Sequence, residues 1–255
     1  MLSTKNKSLA LAGACAVALA GCGGGDGVVC GYDAYGDPIV CNTVNPPSPP
    51  TPVASANTFP VNQALVNIAT QTYSYDISGY DANGNQFTIH YASAPGLDST
   101  FNGQAASTSN VTESFYENGS LMETDTYVNY YVLSPYQFLG SVGNFAGGME
   151  TVNAFQALPD AGTVGQSFPE LSATLYHDTT QTVNDGTLSE AASLNADTDS
   201  TALLCFNDTT QLTQAGMADN LTAGDSATCF RIDTGGNVLG MQISTPVNGV
   251  PTLFF

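Results

Sequence analysis

The residues of this 255-residue chain best suited to acid–base or metal chemistry are two histidines and 22 carboxylates. His177 precedes Asp178, an order that a dyad would use. It falls at the end of an alternating run, beside the polar stretch DTTQTVNDG, and so reads as an exposed or turn-bonded histidine. His90 lies on the polar side of its own run and reads the same way. The carboxylates fall in pairs: Asp197 with Asp199, Glu123 with Asp125, Glu113 with Glu117. Two carboxylates facing each other across a cleft are the equipment of glycoside hydrolysis, but these spacings put nothing across a cleft. Glu123 and Asp125 sit two apart and share a strand face, which makes at most a weak calcium site. The segment DANGNQ, residues 81–86, opens like a calcium loop. Its Gly is fourth rather than sixth and its closing Glu is missing, so it reads as a turn. Gly165-Gln166-Ser167-Phe168-Pro169 lacks the second glycine of a nucleophile elbow and the strand-then-helix setting. No catalytic residue, metal site or cofactor is expected.

The elements that position these residues are strands. Tyr73, Tyr75 and Ile77 alternate with polar neighbours, as do Phe87, Ile89 and Tyr91. Asn83-Gly84 lies between these runs, and Asn-Gly between alternating runs is a strong hairpin signal. Asn118-Gly119 predicts a second hairpin over 111–133. Asp185-Gly186 is expected to join 171–177 to 188–194, and Gly235-Gly236 to join 228–232 to 238–243. No long stretch shows strong helical periodicity, although 145–158 and 209–220 have room for a helical turn or two. The expected fold is all-β: antiparallel meanders and hairpins forming a sandwich or an open barrel over 60–255. Residues 126–142 align without gaps to 226–242, matching Leu139-Gly140 to Leu239-Gly240. Either the domain has two similar halves, 60–145 and 156–255, or hairpins of biased composition resemble each other by chance.

The chain begins with Lys5 and Lys7, then an unbroken small and apolar run, Leu9 to Ala20. That run is too short to span a membrane and has the form of a secretory signal. It ends in Leu19-Ala20-Gly21-Cys22. This quartet resembles the lipobox of bacterial lipoproteins at all four positions. The resemblance implies removal of residues 1–21, a diacylglyceryl group on the Cys22 sulfur, and acylation of the new amino terminus with chains such as palmitate. Three chains would hold a protein stably where one holds it only marginally. Gly23, not Asp, follows the cysteine. By the same resemblance this favours the outer membrane, with the domain facing periplasm or cell surface.

Residues 22–59 then form a tether: a glycine run, a small loop between Cys30 and Cys41, and a proline-rich stretch without charge over 42–60. Exported chains with an even cysteine count read as disulfide-bonded. Cys30, Cys41, Cys205 and Cys229 allow three pairings, of which Cys30–Cys41 and Cys205–Cys229 join the nearest in sequence. Loss of the signal removes both lysines and no acid, so the remaining charge is 1 − 22 = −21. Nucleic acid is excluded as a partner by the lack of cations. The one remaining cation, Arg231, faces away from Phe230 and Ile232, and is expected to form a structural ion pair with one or more carboxylates. The membrane, reached through the lipid on Cys22, is one partner. An unidentified protein or small molecule is the other. The expected function is a noncatalytic, tethered acidic domain with a binding or structural role in the envelope. The alternatives are a carrier of lipid or another hydrophobic ligand, which needs a concave apolar pocket, and a carboxylate-dependent hydrolase.

Overall fold

The structure, a computed structural model, describes residues 29–32, 38–40 and 58–255, apart from 82, 145–147, 220, 248 and 249. The lipobox, Cys22, the Cys30–Cys41 pairing and the proline-rich stretch through residue 57 lie outside the described residues. The strands β1 (Val29–Tyr32) and β2 (Pro38–Val40) pair antiparallel as a small ladder of their own. Strand β3 (Thr58–Phe59) and helix α1 (Val61–Thr70) then lead into the main sheet.

That sheet is a long antiparallel meander. Its strands are β4 (Tyr73–Tyr80), β5 (Gln86–Pro95), β6 (Ser99–Phe101), β7 (Gln104–Glu117), β8 (Ser120–Leu133), β9 (Tyr136–Gly143) and β10 (Met149–Phe155). After the short β11 (Gly162–Thr163), which pairs with β3, come β12 (Ser167–Tyr176), β13 (Asn184–Ala196) and β14 (Thr201–Leu212). Helix α2 (Gln214–Ala218) precedes β15 (Gly224–Asp233), β16 (Val238–Val247) and β17 (Val250–Phe254). Neighbours in sequence are neighbours in space from β4 to β17, with β6 beside β7 only. The two edges then meet. Ser78 and Phe255 exchange backbone hydrogen bonds of 3.2 Å in both directions. Gly79 lies so close to the Leu253 carbonyl that a Cβ would stand 2.5 Å from it. The sheet is thus an all-β barrel whose open edges are joined by one seam, the barrel-like member of the two expected arrangements.

Bulges help it curl. Tyr130 and Tyr131 are shifted against β9, and Arg231 and Ile232 against β16. The extra residues are Leu139 on β9 and Leu239 on β16, each followed by a glycine, Gly140 and Gly240, so the two similar sequence stretches do make similar bulged hairpins. The gapless match nevertheless sets residues of opposite faces against each other. Tyr130 packs outside the barrel against Phe101, with ring centres 4.8 Å apart, whereas Phe230 belongs to the inner core. The turns differ by a residue, which moves the first strand out of step.

Three of the four hairpin turns stand where the glycine dipeptides put them. Asn118 and Gly119 both adopt positive φ between β7 and β8. The turns at 81–85 and 233–237 share one construction: the leading Asp accepts from the main-chain N–H two and four residues on. Asp185-Gly186 is the exception. The β12–β13 turn is 177–183, and Asp185 is instead the extra residue of a bulge inside β13, between the pairs Leu175↔Gly186 and Tyr176↔Asn184. Gly186 is needed there for close approach, since a Cβ would lie 2.4 Å from the Gln211 carbonyl. Among its described residues the stretch 145–158 holds β10 and no helical turn, whereas 209–220 does hold α2.

Because the meander is antiparallel, its connections alternate between two ends. The β13–β14 and β15–β16 turns and α1 lie at one end. The β12–β13 turn and α2 lie at the other. Helix α1 has Val61, Ala64, Leu65 and Ala69 on one stripe, all at most 2% exposed, at the spacing of an amphipathic helix. It packs against β5, β7, β9 and β16, strands on different sides of the barrel, and so plugs its own end from within. Leu194, Leu204 and Ile232 of the wall surround that end, none with measurable exposure.

Candidate functional site

The other half of the interior is not filled. A cavity of about 270 Å³ remains there. Strand parity explains its lining. On β7 the inward row runs Val111, Glu113, Phe115; on β8 it runs Asp125, Tyr127, Asn129, Tyr131. Inward rows on β10, β13 and β14 bring Glu150, Glu190 and Asp208. Five carboxylates therefore share one chamber with five tyrosines, Tyr73, Tyr91, Tyr127, Tyr131 and Tyr136, and among the described residues no Lys, Arg or His lines it.

Register sets the carboxylates in pairs. Glu113 stands opposite Asp125, and Glu190 opposite Asp208. Like charges directly opposite on neighbouring strands repel. Burial pushes the Glu113 carboxyl up to about 7, the Tyr127 hydroxyl that donates to its Oε1 opposing and the Asp125 charge adding to the rise. Asp125 rises to about 6 through burial and the neighbouring Glu123. Burial, then the Asp208 charge, takes Glu150 to about 7 against the hydrogen bond that Ser141 donates at 3.3 Å. Asp208 is raised to about 6 by burial, and its hydrogen bond with Glu190 holds it back. Two carboxyls can bond to each other only when they share a proton. Burial likewise raises Tyr131 to about 12 and lifts Tyr91 and Tyr127 well above the ordinary tyrosine value. At neutral pH the chamber is thus a set of partly protonated acids held among neutral phenols. It can exchange protons, donate and accept hydrogen bonds, and attract a cation.

Of the pairs singled out in the sequence, Glu123 and Asp125 do stand side by side, but the chamber draws its own pairs across strands. Glu113 and Asp125 each enter the chamber, from different pairs, and meet across two strands. Glu117 stays at the strand end, opposite Ser120. Asp197 leaves the chamber entirely: Arg231 Nε and Nη2 donate to its two oxygens at 2.7 and 3.1 Å. Arg231 is on the outer face as expected, and its carboxylate partner is Asp197. Burial works to raise the Asp197 carboxyl, but the bonds from Arg231 and the Thr201 hydroxyl hold it below its ordinary value. Glu190 and Asp208 had no signal of spacing. Their only trace was a carboxylate standing on the apolar parity of a strand.

Cys205 and Cys229 form a disulfide between register partners on β14 and β15. His90 bonds to its cross-strand partner Asp76 at 2.7 Å on the outer face, both exposed. His177, half exposed just after β12, does not use Asp178, whose Oδ1 accepts from Thr180. Its Nδ1 lies 2.9 Å from Asp219 Oδ2, just past α2, and 3.8 Å from Asp185 Oδ2. Burial raises the Asp185 carboxyl, and the Asp219 charge adds to the rise.

Comparison of the chain with protein-family models, with curated proteins and with solved structures gives no match.

Proposed function

We propose that this protein is a binding protein of the cell envelope whose barrel takes up a small cation with an apolar body, such as an aryl- or alkylammonium compound. The observation that carries this reading is the chamber of five carboxylates and five tyrosines, with no cationic side chain on its lining among the described residues. Buried carboxylates call for a counter-charge, and tyrosine faces attract cations once both are out of water. Phe138, Phe206 and Phe230 would receive the apolar part. Attachment to the outer membrane through lipid on Cys22 completes the reading and rests on the LAGC resemblance. The same chamber speaks against a carrier of acyl chains, which have nothing to offer five acids.

Calorimetry and thermal shift at neutral pH test the proposal, with 2-phenylethylamine and benzyltrimethylammonium as cations and 2-phenylethanol as the neutral counterpart. The cations bind and raise Tm, and Glu113→Gln with Asp208→Asn weakens them roughly tenfold, the loss of about 1.4 kcal/mol. Equal binding of the alcohol, or no binding of either cation, overturns it. Cell fractionation tests the anchor separately: Cys22→Ser releases the protein from membranes.

A carboxylate-dependent hydrolase is the second reading, supported by acids near 6 and 7 that are suited to general acid–base work. Turnover of chromogenic glycosides, lost in Glu113→Gln, would favour it over binding alone.

A further inference from the structure

We infer that His177, Asp185 and Asp219 form a binding site for a divalent transition metal of the zinc type, at the end of the barrel opposite α1. One ligand atom from each residue lies within 4.8 Å of the others. Around a tetrahedral zinc at about 2.0–2.2 Å, ligand atoms stand roughly 3.3–3.6 Å apart. The observed separations of 2.9 and 3.8 Å from His177 Nδ1 bracket that value.

The independent sign of a missing ligand is Asp185. Its side chain has no exposure, and neither carboxylate oxygen has a hydrogen-bond partner among the described residues. A buried carboxylate in that state is costly unless something positive reaches it. His177 does not meet the need, because its Nδ1 is already engaged with Asp219 and 3.8 Å is beyond a hydrogen bond.

The local backbone is built to aim Asp185 at this point. It is the extra residue of the β13 bulge, and bulges redirect side chains in this way. Its carbonyl accepts from the Thr213 N–H at 2.9 Å. Gly216 of α2 packs onto the same carbonyl, where a Cβ would come within 2.1 Å. Those contacts fix α2 against the bulge and carry Asp219 to His177.

The donor set identifies the class of ion. One imidazole nitrogen and two carboxylate oxygens suit zinc, with water in the fourth position. Calcium and magnesium take six or more oxygens, and nitrogen does not serve them. Half-exposed His177 gives the ion a way in. Leu175 and Leu221, each two residues from a ligand, line the carboxylate chamber. The ion would therefore tie the β12–β13 turn to the α2 connection beside the chamber rim.

The test uses the full-length protein in detergent under non-reducing conditions, stripped with EDTA. Calorimetry with ZnCl₂ should find one ion per chain and a reversible rise in Tm. CoCl₂ should give the visible absorption of a low-coordinate nitrogen–oxygen site. His177→Ala, a surface change that leaves folding intact, and Asp219→Asn should each weaken zinc about tenfold or more and abolish the cobalt band. His90→Ala should leave both unchanged. Absence of zinc binding in the wild type, or retention of binding in His177→Ala and Asp219→Asn, overturns the assignment. So does equal binding of CaCl₂.

Discussion

The two ends of the barrel interior are made by the same alternation of side chains and put to opposite uses. At the α1 end the inward residues are apolar, the helix fills what the wall leaves open, and Phe59, Val61, Leu65 and Leu204 have essentially no exposure. In the other half, acids stand on the inward parity and a cavity of about 270 Å³ stays open. One end spends the hydrophobic effect on stability. The other gives stability up, since buried acids without cations are unfavourable, and an arrangement that costs stability where an apolar core would fit points to function.

The largest effect should come from the filled end. Leu65→Ala removes a fully packed side chain from the plug and should cost about 3 kcal/mol, a Tm fall of roughly 6–12 °C by calorimetry. A loss under a degree would show that α1 is an ornament on the barrel rather than its core.

Next in size is the pH response of the chamber. Glu113 and Glu150 titrate near 7, and Asp125 and Asp208 near 6, all raised above their unfolded values. The folded state then holds more protons than the unfolded one, so stability falls as pH rises between about 5 and 8. Thermal denaturation across that window should show a Tm several degrees lower at its alkaline end. A flat or rising Tm would mean that the acids are already neutralised.

Arg231 supplies the contrast of a carboxylate that has its cation. Arg231→Met leaves Asp197 buried without its partner and should cost about 1–2 kcal/mol, below the value for a fully buried pair because Arg231 is partly exposed. An unchanged Tm would remove the ion pair as a structural element. The smallest effect is expected from Asp208→Asn, which relieves the repulsion facing Glu190 and should raise Tm slightly at the alkaline end of the window and not at the acid end. A fall in Tm at the alkaline end would show that the charge is structurally required.

Much of this wall was legible in local chemistry. Asn83-Gly84, Asn118-Gly119 and Gly235-Gly236 mark real turns because each supplies the positive φ that its turn needs. Asp185-Gly186 carries the same letters but serves a bulge, where glycine is required by the neighbouring Gln211 carbonyl. That neighbour exists only once β14 has paired. Helix α1 was readable: Val61, Ala64, Leu65 and Ala69 follow helical spacing, but ten residues are easily lost among long strands. The chamber was half readable. Glu113 sits between Val111 and Phe115 on an apolar row, which marks it as inward, but its meeting with Asp125 depends on register. The His177, Asp185 and Asp219 cluster spans 42 residues and three elements, and no local pattern announces it.

The β3–β11 pair gives the barrel a strain relief. Thr58 and Phe59 pair with Thr163 and Gly162 immediately before α1 begins. A pull along the chain from the proline-rich side therefore loads this short ladder first. The ladder passes it into the β10–β12 connection and the wall, and the plug is not drawn from its socket.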